Sequence, residues 1–593
     1  MESHKRFAKG GEVEGMTVEV NSPHIQLALR EVIKKYPGQN FNASPVSLSG
    51  ANEIGAMACL FHYRRELEDY GKKLPDLEPR MHVLLAVQFV TKRLGQAIQR
   101  YDALPADAEG AWIAYRDLWM LFKPGDFVLT GSGHSAAMLG VVQIKYEDGE
   151  QGMMAMFGLG GSKKQLGITA AYFSHDGKHF GYRQTTITIS AYAGSEQVSN
   201  LAVRPLRYHA DADARRARLM LRGKRFCDLA GIHHRHYSGW ASAVEHEQTQ
   251  GFLFSQDRYP EERVRVDGRV MVDCAAFAEY MSNDLVMLHS VKAEGESPTD
   301  DDYAMASDRV AGFSFNEKRW CLFMVDCLSD VPFNQNAFEN LLLPPGQRRL
   351  VRLLARQHTT GRDGQDSFDD MIKNKGKGCI LLLHGPPGVG KTATVEAVAD
   401  DIQSPVYAIL SGDLGSDLAK VEANVGRIFR LVKRWKAILL IDEADVFLEK
   451  RSPGDLIRNS FVSALLRTLE YFDGIMFMTT NRFDCIDPAF QSRMHLILAY
   501  KPLDSRARRG LWRFFLQRTD GYDAKNWPDE TVKGLADLDL NGRQIKNIVR
   551  TANSLAVADN RRLSTEELDI VLTTVADFKA KSLPTSCSDG AEG

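Results

Sequence analysis

The sequence predicts an α/β fold: a parallel sheet covered by helices, followed by a small helical domain and preceded by a helical segment and a β-rich domain. Three features carry this reading. From about Leu342, short apolar runs alternate with longer amphipathic stretches, the rhythm of strands joined by crossover helices. Beyond Pro502 only helical periodicity remains. Over residues 123–340 the pattern is instead a period-two alternation punctuated by turn residues.

The chain has 593 residues, more than one hydrophobic core organises, so several folded units are expected. Charged residues make up 25% and the apolar set 44%, which excludes wholesale disorder, collagen-like and disulfide-scaffold classes. Lys plus Arg total 74 against 76 for Asp plus Glu, and a net charge of -2 gives no global field drawing nucleic acid or an anionic membrane. No window reaches the ~20 unbroken apolar residues of a membrane-crossing helix. The run from Val83 to Val90, for example, breaks at Thr91 and Lys92. The start, MESHKRFAKGGEVEG, lacks the apolar centre of a secretory signal, and its glutamates count against a mitochondrial presequence. A cytoplasmic or nuclear location is therefore expected. Eight cysteines form no C-x-x-C pair, which suits a reducing compartment and offers no zinc signature.

Taken in order, residues 1–20 are polar and glycine-rich and read as a flexible N-terminus. Ser22 before Pro23 is a helix start, with Ile25, Leu29, Val32 and Ile33 on one stripe until Tyr36-Pro37-Gly38 stops it. Helical spacing recurs from Met81 to Tyr101 and from Ala111 to Phe122, so residues 21–122 are expected to be helical. The β-rich domain, 123–340, contains a hairpin with Thr169 to Phe173 and Thr185 to Tyr192 around the turn Asp176-Gly177, then a strand at Val264 to Met271. Lys292 to Asp302 reads as an exposed acidic loop. His233, His234 and His236 cluster in an expected polar turn before Tyr237, without a second ligand group at zinc spacing. Arg215, Arg216, Arg218, Arg222, Lys224 and Arg225 read as the solvated face of a helix, with Leu219 and Leu221 turned inward. In residues 345–501 the candidate strands are Cys379 to Leu383, Pro405 to Leu410, Ile438 to Ile441, Ile475 to Thr479 and Leu496 to Tyr500. The helical domain, 502–580, has segments Ser505 to Gln517, Glu530 to Ala536, Arg543 to Ala558 and one opened by a Ser564-x-x-Glu567 box. Residues 581–593 read as a disordered tail.

Gly385-Pro386-Pro387-Gly388-Val389-Gly390-Lys391-Thr392 fits G-x-x-x-x-G-K-[ST] between an apolar strand and a helix-forming segment, the context this motif requires. Glycines let successive main-chain N–H groups close on phosphate oxygens at a helix N-terminus, where the dipole favours an anion. Lys391 would reach the β- and γ-phosphates, and the Thr392 hydroxyl would bind Mg²⁺. Further on, Ile438-Leu439-Leu440-Ile441 ends in Asp442-Glu443. Asp442 at the strand end suits the metal's water shell, while Glu443 suits polarising the water that attacks the γ-phosphate. Asn481 closes a third apolar run, where its amide is placed to hold that water.

GPPGVGKT, LLIDEAD and MTTNR, in that order, resemble the AAA+ ATPases, and specifically the classical AAA branch, over about residues 345–580. The likeness is strongest to a group of large fungal AAA-type ATPases with an uncharacterised N-terminal domain, through DEADVFLEKR and RNSFVSALLRTLEYFDGI and, upstream, LWMLFKPGD, LAVRPLRYHADADARRARLMLRGKRF and GRVMVDCAAF. The resemblance implies a P-loop core with a five-stranded parallel sheet and helices on both faces, a helical lid, Mg-ATP as ligand, and a homo-oligomeric, hexameric ring with nucleotide between subunits. It also implies that Arg493 is a finger reaching the neighbouring site, although the second arginine many relatives carry is here Leu496. Arg543 would sense the γ-phosphate from the lid, and Asp370, Met371 and Ile372 would line the adenine pocket. The loop Gly412-Asp413-Leu414-Gly415-Ser416-Asp417-Leu418 lacks the aromatic residue with which threading relatives grip polypeptide, which counts against threading. The expected activity is ATP hydrolysis coupled to remodelling of a protein partner that the sequence does not identify. A nucleotide-regulated scaffold with negligible turnover, or a nucleic-acid motor, are the alternatives. The first has no use for Glu443 and the second lacks a basic balance.

Overall fold

The computed structural model describes residues 2–7, 13–131, 133–147, 164–244, 262–281, 286–339, 341, 343–360, 378–410, 413, 418–449, 456–519 and 527–582. The chain divides into two compact units, Met1–Asp330 and Val331–Gly593. The division falls earlier than the composition suggests, because Phe338 and Leu343 bury into the same core as Leu381 and Phe477 of the second unit.

In the first unit, residues 1–20 are not simply flexible. They supply the strands Glu2–Phe7 and Val13–Val20, which pair antiparallel and are completed by Val46–Gly50. Val18 and Val20 alternate with polar neighbours, so one face of the sheet is apolar and is buried with Leu29, Phe61, Val83 and Val90. Ser22 caps Pro23–Ala28, its hydroxyl accepting from the Ile25 N–H at 3.4 Å. Helices Glu53–His62, Arg64–Lys73, Leu77–Arg93 and Gly95–Asp102 follow. Ala111 to Phe122 is not the expected helix but a strand, Trp112–Ala114, and a short 3-10 turn, Tyr115–Met120. Leu118, Trp119, Met120, Leu121 and Phe122 are all buried, and five consecutive buried side chains cannot share the single stripe of an amphipathic helix.

The β-rich part holds a six-stranded antiparallel sheet in the order Val203–Pro205, Phe127–Thr130, Ala137–Glu147, Gln165–His175, Phe180–Ser190, Ser290–Val291. The expected hairpin lies at its centre. Gly177 takes φ +93° at the turn, and the Asp176 carboxylate accepts from the N–H groups of Lys178 and His179, both at 2.7 Å. A second sheet runs Glu262–Asp273, Arg309–Ser314, Arg319–Met324, Ile232–Ala243, Leu328–Ser329, and Ile232–Ala243 also pairs with Glu262–Asp273, so the first four strands close on themselves.

Two expectations in this region are corrected and a third is refined. His233, His234 and His236 stand within the strand Ile232–Ala243, not in a turn, and among the described residues no cluster of metal-ligating side chains occurs. On helix Ala212–Asp228, Leu219 is buried but Leu221 is 66% exposed, while Arg222 is buried and donates to the carbonyls of His134 and Ala136 at 3.2 and 2.8 Å. A guanidinium that finds carbonyl partners is buried in place of the leucine one position before it. Lys292 to Asp302 is exposed along Ala293 to Ser297, as expected, but its two ends are tied together. Its Lys292 and Asp302 side chains are buried as an ion pair at 2.5 Å, and Thr299 and Asp302 form the capping box of helix Asp300–Ala304.

The second unit is built on five parallel strands in the order Val406–Ile409, Ile438–Ile441, Ile475–Thr480, Cys379–His384, Leu496–Ala499. All five were expected to within a residue or two. Helix Pro345–Thr360 packs through Val351 and Ala355. Helices Ser505–Leu516, Asp529–Asp537, Gly542–Ala558 and Thr565–Ser582 make a separate helical core around Trp512, Leu516, Ile545 and Ala552. At the start of the last helix the Ser564 N–H and hydroxyl both donate to the Glu567 carboxylate, at 2.9 and 2.5 Å.

Candidate functional site

Parallel strands finish at the same edge of a sheet, so residues just past their carboxyl ends are brought together whatever their distance in sequence. Here the register pairs Ile441 with Met478 and His384 with Thr480. Asp442 therefore stands level with Thr479, and Gly385 level with Asn481. The side-chain contacts follow from that alignment. The Thr479 hydroxyl, on a buried residue, donates to the Asp442 carboxylate and accepts from the Glu443 N–H at 3.0 Å. The Thr480 hydroxyl donates to Asp445 and accepts from the Arg482 N–H at 2.9 Å. Two adjacent threonines thus orient the acid-rich turn that follows the middle strand.

The turn after Cys379–His384 requires glycine. Gly385, Gly388 and Gly390 take φ of +148°, +75° and +103°. A Cβ on Gly385 would also stand 2.3 Å from the Tyr500 carbonyl oxygen, and one on Gly388 would stand 2.6 Å from Asn541 Oδ1. Gly390 leads into helix Lys391–Asp401. The buried Lys391 ammonium donates to the carbonyls of Gly385 and Pro386 at 2.8 and 2.9 Å and to Asn481 Oδ1 at 2.8 Å. Thr392 Oγ1 lies 3.2 and 3.3 Å from the two Asp442 oxygens. Burial pulls the Lys391 ammonium below the usual lysine range, and the nearby charge of Arg543 adds to this, against the attraction of Asp442, Asp445 and Glu443.

Five of the residues singled out in sequence, Lys391, Thr392, Asp442, Glu443 and Asn481, therefore meet at one edge. Pro386 and Pro387 lie in the turn, and Val389 is buried beside it. Glu443 is exposed and adopts φ +52°, in the turn that follows Asp442. Arg543 is exposed in the first turn of helix Gly542–Ala558, whose Gly542 N–H donates to the Gly388 carbonyl at 2.9 Å. The lid thus rests on the glycine turn. Arg493 stands apart from this group: it donates to the Ala489 carbonyl at 2.8 Å and pairs with Glu470 at 2.6 Å. Asp370, Met371 and Ile372 lie outside the described residues, as do Gly412 and Leu414 to Asp417.

Sequence reasoning missed Thr479, Thr480 and Asp445, and also the Thr394 and Tyr500 hydroxyls, which share a buried hydrogen bond of 2.7 Å behind the turn. The signal was the pair of hydroxyl residues directly before Asn481. Its meaning depends on strand register. The oxygen set of Thr392 and Asp442 is of the hard, small kind that suits Mg²⁺ together with water and phosphate oxygens. The positive-φ glycine turn around a buried ammonium fits a phosphate group.

Residues 381–501 match the family described as ATPase family associated with various cellular activities (AAA), and residues 107–210 match a domain of unknown function, DUF7025. Among curated proteins, the chain is similar to the proteasome-activating nucleotidase of Aeropyrum pernix, 30% identical over 214 residues, covering 34% of this chain and 51% of the relative. The corresponding nucleotidase of Sulfurisphaera tokodaii is 26% identical over 226 residues, covering 36% and 56%. That of Saccharolobus solfataricus is 28% identical over 193 residues, covering 30% and 48%. The chain thus spans about half the length of these relatives. The motif order, the strand order and the family match agree, and the chain carries an AAA-family ATPase domain.

Proposed function

We propose that this chain binds Mg-ATP at the carboxyl edge of its parallel sheet and hydrolyses it to ADP and phosphate. The observation supporting this is the convergence of Lys391, Thr392, Asp442, Glu443 and Asn481 at the ends of three neighbouring strands. The glycine turn and the first turn of helix Lys391–Asp401 supply N–H groups to the β- and γ-phosphates. Lys391 exchanges its carbonyl and amide oxygens for phosphate oxygens, an anionic partner in place of neutral ones. Thr392 and Asp442 hold Mg²⁺, which when bound offsets charge on the phosphates. Asn481, released from Lys391, orients the attacking water, and Glu443 accepts its proton as the new phosphorus–oxygen bond forms and the bond to the β-γ bridging oxygen breaks. Arg543, at the start of the lid helix, is positioned to register whether a γ-phosphate is present.

The reading extends to a homo-oligomeric ring, hexameric by resemblance, that remodels a protein partner. The relatives' name joins nucleotide use to proteasome activation. Only the nucleotide part is carried over here, because the match spans half of their length. In a ring, Arg493 would leave Glu470 of its own chain and stabilise the γ-phosphate of a neighbour, one anionic partner replacing another. Among the described residues no helix is long and apolar enough to cross a membrane.

The test is steady-state phosphate release by the purified chain. Glu443→Gln is expected to lower turnover by at least ~10²-fold while ATP binding is retained, and Lys391→Ala to weaken binding itself. Turnover by Glu443→Gln equal to that of the parent removes the proposed base. A parent chain that binds ATP without releasing phosphate leaves the scaffold reading in its place.

A further inference from the structure

The N-terminal unit contains a basic cavity that the ATPase reading leaves unused. It measures about 240 Å³ and lies between the edge strand Val203–Pro205, the segment that follows it, and helix Ala212–Asp228. Its floor is apolar, with Leu129, Leu201 and Leu219 all buried. Its walls carry Arg204, His209, Arg215 and Arg218.

Among the described residues, the cationic groups around this cavity have few anionic partners. Arg204 is half-buried, and its side chain makes no hydrogen bond or ion pair among the described residues. Among the described residues, the Arg218 side chain reaches only the Gly133 carbonyl, at a long 3.4 Å. Arg215 pairs with Asp211 at 2.7 Å, the one carboxylate among the described residues bonded to any of the four. His209 Nε2 is buried without a hydrogen-bond partner among the described residues, and burial, then Arg204 and Arg215, hold the ring below the usual histidine range against the opposing pull of Asp211. Cationic side chains lining one cavity beside an unpartnered imidazole favour an anion there.

The geometry points to a binding site for a phosphate monoester, either a small ester or a phosphorylated side chain. Guanidinium groups present planar forks matched to phosphate oxygens, and a monoester carries about −1.5 to −2 charge with three terminal oxygens to engage several forks. The apolar floor accommodates the carbon stem of an ester, which inorganic phosphate lacks. A cavity of this size takes one headgroup, whereas a nucleic-acid backbone presents singly charged diesters along an extended surface. The site straddles the matched domain of unknown function and the helix after it.

The test is isothermal titration calorimetry on the full chain carrying Lys391→Ala, so that the nucleotide site does not take up phosphate. The probes are O-phosphoserine, a phosphoserine peptide, inorganic phosphate and a short single-stranded RNA. Saturable binding of phosphoserine is expected, free or within the peptide. It should weaken about tenfold or more in Arg204→Ala and in Arg218→Ala, and stay unchanged in Arg562→Ala, an exposed lid arginine. Tighter binding of the peptide identifies a modified protein as the source, and equal binding a small ester. Arg218 is exposed, so Arg218→Ala keeps the fold, as an unchanged melting profile verifies. The assignment is overturned if phosphoserine does not bind, if both arginine variants bind as the parent does, or if inorganic phosphate binds as tightly as the ester. RNA binding that depends on Arg204 and Arg218 where phosphoserine fails would also overturn it.

Discussion

One hydroxyl, that of Thr479, touches both acidic positions of the candidate site: it donates to the Asp442 carboxylate and accepts from the Glu443 N–H. Removing it leaves a half-buried carboxylate oxygen and a main-chain donor each short of one partner. Thr479→Val keeps the shape of the side chain, so packing is conserved and the polar effect is isolated. Such a loss costs about 1–3 kcal/mol, and freedom regained by the two acids should lower phosphate release by about tenfold. Denaturant unfolding and steady-state turnover measure the two effects, and parental turnover in the variant would refute a positioning role. Asp442 and Lys391 were legible in the sequence because their chemistry is written into short motifs. Thr479 was not, because threonine is an ordinary strand residue whose neighbour across the sheet is unknown until register is known.

At the level of elements, the acidic segment before helix Asp300–Ala304 is pinned by a buried pair. Burial opposes ionisation of Asp302, but the Lys292 ammonium and the hydroxyls of Tyr182 and Thr299 outweigh it and hold its carboxyl below the usual range. Burial likewise opposes the Lys292 charge, which Asp302 and Glu296 raise above the usual lysine range. The pair's contribution is therefore complete between the unfolded values of about 4 and about 10. It is lost as pH falls through the depressed Asp302 value, and again as pH rises through the elevated Lys292 value. Lys292→Met, which leaves the buried Asp302 carboxylate without its cation, is expected to cost about 3 kcal/mol at pH 7, and the difference should shrink toward zero on acidification. Urea unfolding of both proteins at neutral and acid pH checks this, and an undiminished difference at acid pH refutes it. Charge runs conceal such pairs. Lys292 and Asp302 are ten positions apart, and only the path of the chain between them turns an apparent surface loop into a closed staple.

For the molecule as a whole, each unit has cores of its own, Val18 to Trp119 and Phe173 to Val325 among those of the first, Leu381 to Tyr500 and Trp512 to Ile548 in the second. Units that bury separate apolar surface melt as separate cooperative blocks unless they stabilise each other strongly. Calorimetry of the full chain is expected to resolve at least two transitions. Mg-ATP at about 100 times its Kd should stabilise the unit that contains Lys391 by about 2.7 kcal/mol and leave the other transition in place. A uniform shift of every transition would refute that independence.

What the amino-acid order determined by itself was local or short-range: apolar runs that can only be buried strands, a glycine turn between a strand and a helix, an acid pair at a strand end, and caps such as Ser22. These depend on dihedral preference and on neighbours a few residues away, and they located Lys391, Thr392, Asp442, Glu443 and Asn481. The tertiary structure alone decided which distant residues meet. Parallel register aligned Thr479 with Asp442, a carbonyl pair drew Arg222 inward while Leu221 turned to solvent, and Glu470 took up Arg493. Such outcomes depend on which surfaces are opposed across the fold, where burial energy and charge compensation are settled between elements that carry no mark of one another in the chain.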